Sequence, residues 1–205
     1  MAKVSLSKSS LSQQTQQLKS YQQFLPSLDL KRKQLMGERA RARAERLALD
    51  ERLAAARQQI TASLPMLGNE ELDLNALVRV KHVELGRENV VGTWLPTLQA
   101  IEVDVRPYGY ISKPQWLEPL IEALTASARL RIEAMVAERR VALLNAAVRT
   151  VTQRVNLFDK VLIPQTRENI KRIRIALSDA ERAAVVRSKI AKKKRAAEGL
   201  AQGQV

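Results

Sequence analysis

Apolar residues recur along the first third of the chain at alternating steps of three and four. From position 11, eleven of fifteen such positions are apolar or aromatic. A 3.5-residue repeat keeps one narrow stripe of a helix against a partner, so the pattern predicts a coiled-coil seam. The seam positions are Leu11, Gln14, Leu18, Tyr21, Leu25, Leu28, Arg32, Leu35, Arg39, Ala42, Arg46, Leu49, Leu53, Ala56 and Ile60.

Local sequence signals mark the start and the end of this first helix. Ser10 with Gln13 predicts a capping box at its start, and Pro26 predicts a bend within it. Leu-Pro at 64–65 and Gly-Asn at 68–69 predict its end. A helix of roughly 54 residues is about 80 Å long at ~1.5 Å per residue, which is too long for a compact domain.

The periodicity changes in the middle of the chain. A short helix is expected around residues 70–78, and alternating apolar and polar residues at 80–84 and 101–106 predict two short strands. Residues 90–96 are expected to lie between the strands. Together these segments predict a small β-hairpin head.

An apolar seam resumes after Ser112 and Gln115, which predict a second helix cap. Pro164 lies within this seam, and the stripe continues beyond it through Ile170, Ile173 and Leu177 in roughly the same phase. We therefore predict a helix kink at Pro164 instead of an end. The seam before it comprises Leu117, Leu120, Leu124, Ala128, Ile132, Met135, Leu144, Val148, Val151, Val155, Phe158 and Leu162.

Two long seams separated by a short insert are expected to fold back on each other. The predicted fold is mainly α: a long two-helix antiparallel coiled coil with a small β-hairpin insert between the helices. Its parts are a first helix over 1–64, a short helix and hairpin over 65–114, and a second helix with a basic tail over 115–205. The second helix is the longer, so part of its end is expected to project unpaired.

Composition agrees with long helices and narrows the class of protein. Only 3% of the 205 residues are aromatic, and glycine and proline number seven each. The absence of cysteine excludes disulfides and thiolate metal sites. No signal-peptide pattern and no apolar run of ~18 residues is present, which predicts a soluble intracellular protein that meets a membrane only through partners.

Charge is unevenly distributed along the chain. The net charge is +14, with seven basic residues against two acids over 181–198 and nine acids against five bases over 65–125. The folded-back arrangement places both basic termini at one tip. Such a tip suits nucleic acid, an anionic membrane or an acidic protein surface, and composition does not choose among them.

Side chains that could carry out chemistry are few. His82 is the only histidine and is expected to be an ordinary strand residue. Glu102 and Asp104 share one strand face and are expected to be solvated. No glycine-rich phosphate loop exists, so we expect no nucleotide, cofactor, metal or catalytic site.

The segment RVNLFDKVLIPQTRENIKRIRIAL, from Arg154 to Leu177, carries a resemblance to a known family. With the following Glu181, Arg182 and Lys192 to Lys194, it resembles the carboxy-terminal helix of the D subunit of V/A-type rotary ATPases. Leucines and basic residues of the first helix, and Val90-Val91-Gly92 with Pro96, resemble the family more weakly. The resemblance covers nearly the whole chain in order.

This resemblance implies a non-catalytic central rotor shaft. Its implied partners are the catalytic and non-catalytic ATPase ring subunits, a small companion stalk protein (the family's F subunit), and a funnel-shaped subunit that links to the membrane ring. The implied location is the cytoplasmic side of a membrane, peripherally, with no nucleic acid bound. Expected contacts with the catalytic ring are Arg187, Lys189, Lys192, Lys193, Lys194 and Arg195. Expected hairpin contacts with a lower partner are Trp94, Leu95, Ile101, Val103 and Val105.

Two other functions compete with the shaft. A basic coiled coil can bind nucleic acid through phosphates, although no recognition module or aromatic platform accompanies the charge. A scaffold or stalk of another kind shares the rod shape and is harder to separate from a rotor. The Ile-Pro pair within the helix and the basic ending favour the rotor.

Overall fold

The computed structural model describes residues 5–63, 77–106 and 116–202, with side chains up to residue 195. The elements are α1 (Lys8–Ser63), β1 (Val78–Val90), β2 (Thr93–Val105), α2 (Leu117–Leu157), a π-helical turn (Phe158–Leu162) and α3 (Ile163–Gln202). Two long helices thus pack antiparallel with a two-stranded hairpin between them, which confirms the predicted mainly α fold. The boundaries predicted at 64 and 114, and the cap at Ser112 and Gln115, lie outside the described residues.

Helix α1 follows the predicted seam but begins differently from the prediction. The Ser7 hydroxyl oxygen accepts the backbone N–H of Ser10 at 3.2 Å, so Ser7 caps the helix and the capping box predicted at Ser10 is wrong. The helix continues through Pro26. Its buried residues all occupy predicted seam positions: Leu35, Ala42, Leu49 and Leu53.

The hairpin is longer than the sequence suggests. Each strand has 13 residues, so most of 90–96 is strand instead of connection. Val78 starts β1, and residues 70–76 of the predicted short helix lie outside the described residues. The turn needs only Val91 (φ 52°) and Gly92 (φ 75°), whose positive φ values are those of a type I′ turn. Gly92 N–H donates to Asn89 Oδ1 at 2.8 Å.

The chain divides into two compact units. The hairpin unit, Leu30–Val151, contains part of α1, the hairpin and most of α2. In it Leu49 packs against Ala134 and Ala137, and Arg43 Nη2 donates to Asn145 Oδ1 at 3.1 Å. Residues earlier in α1 contact residues later in α2, so the two helices are antiparallel here.

The two-helix unit consists of Met1–Asp29 with Thr152–Val205. Lys8 Nζ lies 3.5 Å from Glu181 Oε1, and the rings of Tyr21 and Phe158 meet edge to face with centroids 5.4 Å apart. These pairs give the same antiparallel direction. The buried side of α3 comprises Ile163, Thr166, Ile170 and Ile173.

A π-helical turn lies directly before Pro164. Ile163 N–H donates to the carbonyl of Phe158, five residues earlier. The turn holds one residue more than an α-helical turn, so burial passes from Val155 to Ile163 over eight residues instead of seven. The predicted seam position Leu162 is accordingly only half-buried.

Candidate interaction surfaces

Arg140 of α2 binds both strands of the hairpin. Its Nη1 donates to the Pro96 carbonyl at 3.2 Å, and its Nη2 lies 3.5 Å from Glu88 Oε2. One side chain thus holds both strands, because Pro96 belongs to β2 and Glu88 to β1. Since N–H and C=O of a strand residue point to the same side, the missing N–H of Pro96 also faces away from β1, and the ladder loses no hydrogen bond.

The five predicted hairpin contacts fall into different environments. Trp94 is 62% exposed, whereas the adjacent Leu95 is 1% exposed. Leu95 is therefore covered by its own chain, and its contact with a partner stays a prediction. Ile101, Val103 and Val105 are half-buried, and Val105 packs against the buried cluster of Leu77, Leu117 and Ile121.

Exposed apolar side chains of the hairpin and of α2 line two grooves, whose walls also contain Arg139. A groove of 570 Å³ includes Trp94, Leu85 and Leu143 in its wall. A second groove of 290 Å³ includes Leu85 again together with Met135. Leu85 and Met135 are both more than half exposed. This hairpin surface, defined by Leu85, Trp94 and Met135, suits an apolar protein partner.

The end of α3 is exposed on every side. All residues from 179 to 195 are exposed, including the six basic residues predicted to contact a ring. Val185, Val186 and Ile190 lie among them with more than half of their surface accessible. Exposed basic and aliphatic side chains thus alternate along this part of the helix, and Glu181 near its start pairs with Lys8 of α1.

A groove lies between α1 and α3 in the two-helix unit. It has a volume of 370 Å³. Leu18, Ile170 and Ile175 supply its apolar part, while the charged lining consists of Arg167, Lys171 and Arg174. We call it the cationic groove.

The residues considered for chemistry lie on an open strand surface. His82 is exposed and pairs across the sheet with Glu102, while Asp104 pairs with Arg79. Exposure of all four agrees with the expectation of a solvated strand face. In the described ranges no group of three or more His, Cys, Asp or Glu is arranged to hold a metal ion, and no helix is long and apolar enough to cross a membrane.

Comparison with known proteins covers both helices and the hairpin. The family model of the ATP synthase D subunit matches residues 10–193. The chain belongs to the ATP synthase D-subunit family. Similar curated relatives are the D subunits of the V-type ATP synthases of Borreliella burgdorferi, 32% identical over 94% of this chain and 95% of the relative, and of Chlamydia felis, 33% identical over 83% of each.

The residues that carry the resemblance to the D-subunit family lie around the π-helical turn. The Ile163-Pro164 pair follows the π-helical turn directly, while Val155, Ile163, Ile170 and Ile173 are buried. The motif thus marks the place where the seam takes up one extra residue. The kink of the helix axis at Pro164 stays a prediction.

Sequence reasoning missed Arg140 and the cationic groove. Arg140 binds groups 44 and 52 residues away, and no local pattern signals such a contact. The groove residues Arg167, Lys171 and Arg174 have spacings of four and three, which place them on one helix face. That spacing was visible in the sequence, but the apolar floor requires α1 beside it.

Proposed function

We propose that this chain is the central rotor shaft of a V/A-type ATPase or ATP synthase. It transmits torque between ATP chemistry in the catalytic ring and ion translocation in the membrane ring, and it is itself non-catalytic. The family match over residues 10–193 carries the proposal. The partners are other subunits of the ATPase complex, and the shaft works peripherally on the cytoplasmic side of the membrane.

The exposed end of α3 supports the contact with the catalytic ring. A shaft that turns inside a ring must present side chains that are exposed to solvent in the free chain. The side chains of 179–195 are exposed, and Arg187, Lys189, Lys192, Lys193, Lys194 and Arg195 are the proposed contacts. Torque then arises from differences in contact free energy between ring states.

The hairpin surface supports a second contact, with the small companion stalk protein, the F subunit. Its centre is Trp94, because large exposed aromatic residues commonly dominate the energetics of protein interfaces. Ile101, Val103 and Val105 line the same hairpin but are half-buried. The funnel-shaped subunit completes the connection to the membrane ring.

Affinity capture of the full chain from native membranes tests the shaft. We expect recovery of nucleotide-binding ATPase subunits with one copy of this chain per catalytic ring. Recovery of nucleic acid without ATPase subunits would instead support the basic nucleic-acid-binding coiled coil and contradict the shaft.

A substitution at the hairpin tests the companion contact separately. Trp94→Ala should weaken binding of the small companion stalk protein about 30-fold, the effect typical of an aromatic hot spot. Gln99→Ala, on the same strand and also exposed, should leave that affinity within about twofold. Equal affinities of the two variants, measured by calorimetry with helicity unchanged, would exclude Trp94 from the contact.

A further inference from the structure

The cationic groove carries charge that its own chain leaves without a counter-ion in the described structure. Arg167, Lys171 and Arg174 are exposed, and no described ion pair involves them. The adjacent Arg172 differs, because it forms an ion pair with Glu168 on the same helix. Lys8 likewise pairs with Glu181. The two-helix unit thus places carboxylates beside some cations and none in this groove.

The spacing of the three cations defines the shape of a ligand. They occupy one face of α3 and extend about 10 Å along its axis, at ~1.5 Å per residue. Like charges at these spacings repel each other, which weakens a helix slightly. An anionic partner with carboxylates at a similar spacing removes that repulsion when it docks.

The floor of the groove shows that the partner is not purely ionic. Ile175 is 53% exposed, whereas Ile170 is buried, and Leu18 of α1 lies opposite them. The Thr15 hydroxyl, also in the lining, donates to the Leu11 carbonyl at 2.8 Å. An apolar side chain fits this floor while carboxylates reach the cations, so the occupant is an acidic peptide segment with at least one apolar residue.

We infer that the cationic groove is a docking site for an acidic segment of a catalytic-ring subunit. The inference rests on the proposed shaft function and extends the ring contact along α3. The charge complementarity requires carboxylates, and the groove is continuous along the helix with the exposed segment 179–195. At 100° per residue, Lys189 and Lys192 of that segment continue the helix face of the groove cations.

Charge neutralisation in the assembled complex tests the inference. We compare Arg167→Gln/Lys171→Gln/Arg174→Gln with a control of equal charge change, Lys19→Gln/Arg149→Gln/Arg172→Gln, whose residues are exposed and lie outside the groove. Exposed ion pairs contribute roughly twofold to fivefold each, so the groove variant should bind the ring about tenfold to a hundredfold more weakly than the control. Its affinity should also depend less on salt.

Zero-length cross-linking identifies the occupant. A carbodiimide should join Lys171 to a carboxylate of a ring subunit, as located by peptide mapping. Lys171→Arg retains the positive charge but cannot form this amide, so the link should vanish while the affinity for the ring is retained.

Three outcomes would contradict these ideas in different ways. If the native chain assembles and the two triple variants bind the ring equally, the groove is not a ring contact but the shaft function stands. A link from Lys171 only to the companion stalk protein would overturn the proposed occupant. If the native chain does not assemble with the ring at all, the shaft function itself fails. Circular dichroism should show equal helicity for all variants.

Discussion

The hairpin unit and the two-helix unit use their charged side chains differently. In the hairpin unit Arg140 binds groups on both strands, and a groove of 510 Å³ between α1, β2 and α2 contains Glu45 and Glu133 as well as Arg52 and Arg140. In the two-helix unit the groove contains only positive charges. The hairpin, as a third element beside two helices, therefore gives charged side chains of its unit partners within the chain. The two-helix unit instead leaves the cations of its groove exposed for contacts outside the chain.

The two units also differ in what fixes the position of their helices. The hairpin unit has contacts between the hairpin and both helices, including the close approach of Gly92 to Lys31. The two-helix unit has one seam, supplemented by pairs such as Tyr21 with Phe158. Loss of helical phase should therefore be most damaging in the two-helix unit.

The largest expected effect comes from deleting one residue of α3. Without Arg167, either the residues after it turn by about 100° or the π-helical turn collapses to compensate. Two of four buried side chains leave the seam in either case, two isoleucines or one isoleucine with Thr166, which should lower the free energy of unfolding by about 2–6 kcal/mol in urea titrations. The four side chains are Ile163, Thr166, Ile170 and Ile173.

Deletion of Lys160 is the matched control for this experiment. It lies within the π-helical turn, where removal of one residue restores an α-helical turn and keeps the later residues in phase. We expect a cost of about 1 kcal/mol or less. Equal costs for the two deletions would show that a single phase does not hold the two-helix unit together.

A smaller effect is expected when the hairpin is detached from the helices. Arg140→Met retains much of the aliphatic stem but removes the hydrogen bonds to Pro96 and Glu88. Since hydrogen bonds of charged groups contribute more than neutral ones, unfolding should become easier by about 1.5–3 kcal/mol. Arg149→Met, at an exposed position, should change stability by less than about 0.5 kcal/mol. No difference between the two would mean that internal charge pairing does not distinguish the hairpin unit.

The smallest effect concerns the turn of the hairpin. Val91 has a positive φ, which a β-branched residue adopts at a cost. Val91→Asn should stabilise the protein by about 0.5–1 kcal/mol, because asparagine tolerates this conformation. Gly92→Ala should act in the opposite direction. If thermal unfolding showed Val91→Asn to be destabilising, contacts of the valine side chain would outweigh its backbone strain.

The long helices were predictable because their seam repeats over many turns. Leu35, Ala42 and Leu49 occupy the predicted stripe, and so does Leu144 on the second helix. Periodicity alone, however, gave Leu162 as a seam position where Ile163 is buried instead. One extra residue in a π-helical turn shifts every later position, and the apolar pattern fits either phase at that point.

The hairpin was predictable as an element but not in its details. Gly92 and Pro96 suggested a connection, whereas a two-residue turn and an outward-facing proline allow strand on both sides. Adjacent Trp94 and Leu95 were both expected to contact a partner, yet only Trp94 is exposed. Adjacent residues of a strand point to opposite faces of the sheet, and the position of α2, which the local sequence does not encode, decides which face is covered.

The exposed end of α3 has a consequence for how it stays helical. An isolated segment as short as 182–195 would be only marginally helical in water, because the first turn is costly to nucleate. Here the paired part of α3 supplies the nucleus, and the end needs only propagation. If the proposed ring closes around this end, it meets a helix already formed, so less conformational entropy is lost on assembly. Disrupting the α1–α3 pairing should therefore also loosen the helix beyond the ion pair of Lys8 with Glu181.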